Sequence, residues 1–488
     1  PLAPPPPPPP APLPPPLHLT VAGYTLVSSG ETIVGDYANH QHGNPMALSG
    51  DGLTLVAASR VGAPSADVRA YAWNGAGWVQ KGGDIHDDAA TSAEQVSRVA
   101  INADGSRIVV GSGGGAGWVR VFSWDGGDWV PLGNTMEIGV HIPYAIAWSL
   151  RSVSMSGDGT RVAVGFQEGS SSDPVDSHGR MYVLDYDATA NEWSQKGNTI
   201  HALPLNDGNK LWGHQVAMSS NGMVVAMGNV ESPGTVRTFE WSETSNDWAK
   251  RGGLTGYQIV GPSYSGIGSF GAKPLGINAD GSRLAIGANY GDTGYAQVFE
   301  WTGSAWAAVG QEFVGETSGG EAAGGYYGDR FGHATALSAD GRTLAVGTGL
   351  AGAAYVKVYV WKDDEPAGSE WQLVATLQDG VPGHPTFHNG DAYGDYVALS
   401  ADGTVLATTA SWHDEGGNAD AGRVLTYARV DYPSPPSLPS PPAPPPLPPA
   451  VPKPPPPPAP PPAPPLPPPV DPLAPPLPPP PAPLPPPL

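Results

Sequence analysis

The chain of 488 residues carries a formal net charge of −22, with 60 prolines, 66 glycines and no cysteine. Without cysteine there are no disulfides, thiolate metal sites or cysteine nucleophiles, and the acidic balance disfavours nucleic acid and anionic membrane, whose phosphates are held by clustered Lys and Arg. No run of about 18 apolar residues occurs, so no helical membrane span is expected.

Residues 1–17 form a proline-rich arm, with 12 prolines in 17 positions. Proline lacks an amide donor and fixes φ, so the arm is predicted to be an extended polyproline II helix. The chain begins at Pro1 without methionine or signal peptide, which predicts a processed product or a piece of something longer. From residue 18 the composition changes. Only 12 prolines fall in 18–432, and this body is rich in Gly, Trp, Tyr and Val. That suits an all-β domain with many turns.

Within the body one signature recurs seven times: a small or apolar pair, Ser or Asn, Asp-Gly, then an apolar strand. The pairs are Asp51–Gly52, Asp104–Gly105, Asp158–Gly159, Asn221–Gly222, Asp280–Gly281, Asp340–Gly341 and Asp402–Gly403, spaced by 53, 54, 63, 59, 60 and 62 residues. Such pairs between short apolar runs predict tight hairpins with φ > 0 at both central positions. Each copy continues through a variable loop to a strand ending in an aromatic pair, as at 119–124 and 236–241. A short turn then leads to a last strand opened by Trp78, Trp129, Trp193, Trp248, Trp306 or Trp371. Four strands in each of seven units predict an all-β, seven-bladed β-propeller over residues 18–432. The seventh unit lacks its fourth strand, because polyproline begins at 433. Residues 24–33 supply the pattern, Tyr24-Thr-Leu-Val-Ser-Ser-Gly standing where another unit has Trp78-Val-Gln-Lys-Gly-Gly. The N-terminal strand is therefore expected to complete the last blade and remove its open edge.

The repeat resembles the FG-GAP-like propellers, the class that includes the integrin α-subunit head, most closely over residues 331–347, from Phe331-Gly-His to Ala-Val-Gly347. The resemblance implies the propeller fold, and in that family some hairpins hold calcium through Asp-x-Asp-x-Asp-Gly-x-x-Asp. Here only Asp-Gly remains. At the second repeat Ala100 stands at the first ligand position and Ile108 at the last, so neither calcium nor another cofactor is expected.

Other candidate chemistry is sparse. His40 and His42 have the spacing of metal ligands, and His388, Asp391 and Asp395 share a loop. Asp414, Asn418 and Asp420 offer calcium-type oxygens, or form a solvated acidic loop. There is no Gly-x-Ser-x-Gly, P-loop or His-Glu-x-x-His pattern, so no enzymatic activity is predicted. The two hairpin turns of a blade are short and share one rim, while the long loops share the other. Eleven of the 15 tryptophans occupy repeated strand positions. The other four, Trp118, Trp148, Trp212 and Trp412, fall in or beside the long loops. They are ligand-binding candidates, suited to stacking on a sugar or a neighbouring chain, or else plugs between blades.

The final 56 residues, 433–488, hold 36 prolines, and their only charges, Lys453 and Asp471, cancel. As a polyproline II rod or linker this arm spans about 170 Å. Residues 1–17 and 472–488 align without gaps and differ only where Pro6 faces Leu477. A tandem array with a period of 488 − 17 = 471 residues accounts for the match; slippage in low-complexity DNA is the alternative. The arms resemble the hydroxyproline-rich glycoproteins of plant and green-algal walls, extensins and pherophorins. The residues concerned are Pro4, Pro5, Pro6, Pro7, Pro8, Pro9, Pro10, Pro454, Pro455, Pro456, Pro457 and Pro458, with Ser-Pro steps at Ser434 and Ser440. The resemblance implies hydroxylation and O-linked arabinose on those prolines. It also implies an extracellular setting in wall, matrix or surface filament, and self-association into fibres. Two other readings stand beside it: an adhesion propeller on a stalk that binds carbohydrate or protein, and a PxxP ligand.

Overall fold

The computed structural model describes residues 26–429, except 30–31, 60–66, 86–95, 113–117, 138–148, 168–178, 202–211, 230–233, 261–274, 289–292, 317–328, 350–353, 379–390 and 416. The chain divides into units 1–433 and 434–488, and both proline arms lie outside the described residues.

Seven antiparallel sheets form a seven-bladed propeller, one sheet for each repeat. The first blade runs outward as Met46–Leu48, Thr54–Ala58, Val68–Trp73 and Trp78–Gln80. Its second strand is buried along its whole length, as are Val224–Gly228 and Thr343–Gly347. Neighbouring blades cover both faces, which explains why these strands read as continuous small and apolar runs with no alternation. The innermost strands of successive blades touch around a full circle.

The ring closes as expected. Tyr393–Leu399, Val405–Ala410 and Arg423–Arg429 supply three strands of the last blade, and Leu26–Ser28 supplies the fourth, with Leu26 opposite Arg429 and Ser28 opposite Tyr427. A second piece, Ile33–Val34, pairs with Val424 and Arg423 of the same strand. The folded body therefore begins and ends on neighbouring strands.

The Asp-Gly hairpins differ from expectation in one respect. Only the glycine has positive φ, between 66° at Gly105 and 73° at Gly281. In the first hairpin Gly52 N–H donates to Ser49 O (2.9 Å), and Ser49 Oγ accepts the amide of Thr54 (2.9 Å). The Asp51 carboxylate accepts from both Ser49 Oγ and the Leu53 amide. The side chains before and within the turn thus bind the amides after it. This holds the aspartate out of the left-handed region, giving a longer turn that ends in a left-handed glycine. Asn102 and Asn278 replace the serine with the same effect, accepting the amides of Arg107 and Arg283.

Between that Ser or Asn and the Asp-Gly pair lies one small residue, and the seven turns bond to one another through it. Ala103 N–H donates to Gly157 O (2.9 Å), Gly157 to Ser220 (2.7 Å), Asn221 to Ala279 (3.1 Å) and Ala279 to Ala339 (3.0 Å). Ala339 donates to Ala401 (2.7 Å), Ala401 to Gly50 (2.7 Å), and Asp51 closes the circle onto Ala103 (2.8 Å). Backbones this close leave little room for side chains: a Cβ on Gly157 would stand 2.2 Å from Ser220 Oγ.

Candidate functional site

Two places concentrate polar chemistry, the seams between blades and the axial channel. In six blades the outer hairpin carries a cross-strand aromatic pair, from Trp73–Trp78 to Trp361–Trp371, with ring centroids 5.2 to 5.6 Å apart. The second ring of a pair commonly donates its indole N–H into the preceding blade: Trp129 to Lys81 O (2.8 Å), Trp193 to Leu132 O (2.9 Å), Trp248 to Lys196 O (3.0 Å) and Trp306 to Thr238 Oγ1 (2.8 Å). Basic side chains lie over these rings. Lys81 Nζ sits 5.2 Å from the centroids of both Trp124 and Trp129, and Lys196 Nζ 4.1 Å from Trp241. Each such contact contributes about 0.5–2 kcal/mol according to its exposure. Lys81 also donates to Gly105 O of the next Asp-Gly turn (2.9 Å), and Arg107 and Arg283 do the same one blade on, at Gly159 (3.0 Å) and Gly341 (3.1 Å). These cations therefore bond neighbouring blades together.

The seam where the ring closes has its own bonds. Trp78 Nε1 donates to Thr426 Oγ1 (2.8 Å), which in turn donates to Ser29 O (2.7 Å). Arg69 of the first blade binds Asp36 (2.5 Å), Asp67 (3.7 Å) and Asp84 (3.0 Å). His40 and His42 lie here. His42 is fully enclosed, with Nδ1 3.0 Å from Ser59 Oγ and Nε2 3.1 Å from Tyr71 OH. Burial, helped by His40 and Arg69, pushes its pKa down to about 3. His40 accepts the Asp36 amide (3.2 Å), and burial lowers its pKa too. The two histidines fasten the closing segment and do not converge on a shared ligand position.

A channel of about 380 Å³ runs inside the ring, lined by the innermost strands of all seven blades. Its middle tier is Ala47, Ala100, Ser154, Ala217, Gly276, Ala336 and Ala398, all small. The turn ring of Gly, Ala and Ser borders one end. Towards the other end the lining becomes polar: Arg98, Ser152, His214, Gln215, His333, Asp395 and Tyr396. Asp395 is held by His333 Nε2 (2.8 Å) and Ser411 Oγ (3.0 Å).

The remaining candidates are dispersed or internal. His388 and Trp148 lie outside the described residues, as do the candidate glycosylation prolines. Asp391 bonds His413 Nδ1 (2.6 Å) away from Asp395, and Glu415 meets His413 Nε2 (3.2 Å). Burial opposes protonation of His413, but the two carboxylates outweigh it and raise its pKa. Asp414 Oδ1 accepts the Asp420 amide (2.8 Å) within its own loop, and Asn418 Nδ2 donates to Asp36 O (3.3 Å), tying that loop to the N-terminal closing segment. Among the described residues no three His, Asp or Glu side chains converge as a metal site. Trp118 and Trp212 are core residues, 8% and 0% exposed, and do not offer a ring to an external sugar. Arg237 stacks on Trp212 at 4.1 Å. Trp412 is half-buried. The polar channel tier escapes sequence reasoning because it occupies positions where the repeats differ, while the repeated signature draws attention to the turns.

No protein-family model and no curated protein matches the sequence. Among solved structures, hydrazine synthase of Kuenenia stuttgartiensis matches with a TM-score of 0.48 at 14% identity, over 82% of this chain and 97% of that one.

Proposed function

We propose that the chain is a structural component of an extracellular glycoprotein fibre, cell wall or flagellar surface appendage, with propeller beads carried on glycosylated polyproline rods that self-associate or repeat in tandem. The observation that carries this reading is the match between residues 1–17 and 472–488. It includes the interruptions Leu2/Leu473, Ala3/Ala474, Ala11/Ala482, Leu13/Leu484 and Leu17/Leu488. Interruptions in the same places mark a repeated element and not merely a shared bias to proline. The pairing of Leu26 with Arg429 supports it from the side of the fold. The first and last described strands of the body are thus neighbours in one blade, so both arms continue from that blade.

Peptide mass spectrometry of native protein tests the reading. Added oxygen and pentose are expected on Pro454–Pro458, with the body largely bare. Unmodified proline there would remove the wall-glycoprotein reading and favour the PxxP one. Intact mass then separates a covalent array from head-to-tail association of single units.

A further inference from the structure

We infer that the Asn74–Gly75 pair is a modification site, at which the side-chain amide converts spontaneously to a carboxylate in water, and that the fold protects the same dipeptide at Asn221–Gly222. This is independent of the rod reading.

Asn-Gly occurs at 74–75, 221–222 and 389–390, the last outside the described residues. Asparagine is thermolabile, and a following glycine offers the least steric resistance to ring closure. The reaction needs only water. Solvent base takes the proton of the glycine N–H, the nitrogen attacks Cγ of the asparagine, and the Cγ–Nδ2 bond breaks with release of ammonia. Water then opens the resulting succinimide, at Cγ to give aspartate or at the main-chain carbonyl carbon to give isoaspartate. Either product adds a negative charge, and nothing is oxidised or reduced.

The two described pairs present the same electrophile. Asn74 opens the turn between Val68–Trp73 and Trp78–Gln80, and its Oδ1 accepts the amides of Ala76 and Gly77, both at 2.9 Å. Asn221 Oδ1 accepts Ser219 Oγ (2.6 Å) and the Met223 amide (3.0 Å). Two donors on that oxygen stabilise the charge it gains as nitrogen adds to Cγ, in the manner of an oxyanion hole.

The nucleophiles differ. Gly222 is buried, its N–H donates to Ser219 O (2.8 Å), and its carbonyl accepts from Arg161 Nη1 (2.6 Å). A Cβ there would stand 3.3 Å from Ser156 Cβ. The Gly222 nitrogen can neither lose its proton nor turn towards Cγ until the turn opens. Gly75 is exposed, and among the described residues nothing accepts its N–H. A Cβ there meets nothing within 4 Å, so the backbone is free to close the ring.

The aspartate product suits the turn. In the second blade Asp125 stands in the place of Asn74, directly after the strand Trp118–Trp124. Its Oδ1 accepts the amides two and three residues on, Gly127 and Asp128, both at 2.8 Å. An aspartate at 74 therefore keeps the bonds that Asn74 makes.

Incubation of the full chain in mildly alkaline water enriched in heavy oxygen, with and without denaturing urea, tests the inference, peptide mass spectrometry reading the label at each site. In urea both pairs should react at similar rates. In the folded chain Asn74 should keep its rate, and Asn221 should react at least about tenfold more slowly than Asn74, a barrier difference of about 1.4 kcal/mol. Asn74→Asp should unfold at the temperature of the parent chain. Equal rates at the two sites in the folded chain would overturn the inference. So would an Asn74 that reacts in urea and not when folded, or an Asn74→Asp variant that unfolds well below the parent.

Discussion

The seams between blades make a quantitative prediction at one pair of glycines. Gly303 and Gly310 both belong to the fifth blade, and both have positive φ, +94° and +73°. A Cβ at Gly303 meets nothing within 4 Å, whereas at Gly310 it would lie 2.3 Å from Trp371 Cδ1 and 2.9 Å from its Nε1. Trp371 belongs to the next blade and is 1% exposed, so it has no free space to move into. Substitution by alanine costs about 1–2 kcal/mol at either site for the left-handed backbone. At Gly310 overpacking adds about 1–3 kcal/mol, for a total of about 2–5 kcal/mol. With an unfolding entropy near 2.1 cal/mol/K per residue over a body of about 400 residues, each kcal/mol lowers Tm by about 1.2 °C. Scanning calorimetry of the full chain should then show a fall of about 2–6 °C for Gly310→Ala and about 1–2 °C for Gly303→Ala. Equal falls would mean that the seam tolerates a methyl group and that the close approach of the blades does not decide this glycine.

Other perturbations test the closing seam. His42 is held neutral with a pKa near 3 against the usual 6.5, so its contribution is complete above about pH 6.5 and is lost as pH falls towards 3. The full loss is about 3–5 kcal/mol, and urea midpoints between pH 4 and 7.5 should shift less in His42→Asn than in the parent chain. Thr426→Val strands the Trp78 indole N–H and releases Ser29; a cost of about 1–3 kcal/mol and faster proteolysis near residue 29 are expected, and unchanged stability would refute the role of this bond. Deleting residues 1–34 removes both pieces that pair with Arg423–Arg429. The bared edge should cause aggregation measurable by light scattering, and a deletion variant as soluble and heat-stable as the full chain would count against the clasp.

Much of the architecture is legible in the residues because each blade repeats its turn and its outer Trp. Seven Asp-Gly or Asn-Gly pairs, and a Tyr24 segment where the seventh Trp strand would fall, are enough to count blades and to predict closure. The turn conformation is not legible from Asp-Gly alone. It depends on Ser49 and its counterparts, whose Oγ binds an amide five residues on, and the pair preference carries no information about that bond. The tryptophans outside the repeat mislead for a related reason. Trp212 stands next to a long variable loop in sequence, yet Arg237 stacks on it inside a buried cluster with Met181 and Ile200. Proximity to a loop says nothing of which face the ring turns to. The bond from Arg98 to the Arg151 carbonyl is the least legible feature, since the two are 53 residues apart and meet only because inner strands of adjacent blades touch.

The distribution of side-chain sizes follows from the geometry of a closed ring. Seven blades around one axis diverge from their neighbours by roughly 50° each, so the gap between two blades widens steadily from axis to rim. Near the axis the backbones themselves bond, and only Gly, Ala and Ser fit, as at Gly50, Ala103, Gly157 and Ser220. One strand further out the gap takes Leu55, Ile108 and Val162, all fully buried. A strand beyond, it takes Tyr71, Phe122 and Phe239, each less than 9% exposed. At the outer strands a single ring no longer spans the gap, and a Trp pair with a cation over it fills the space, as Lys81 does with Trp124 and Trp129. Residue size therefore encodes distance from the axis. The same gradient accounts for the two kinds of glycine in the body. Those at the axis are small because two backbones meet there, and those beside the rim tryptophans, Gly82, Gly197 and Gly310, are small because a large ring from the next blade occupies the place of their side chain.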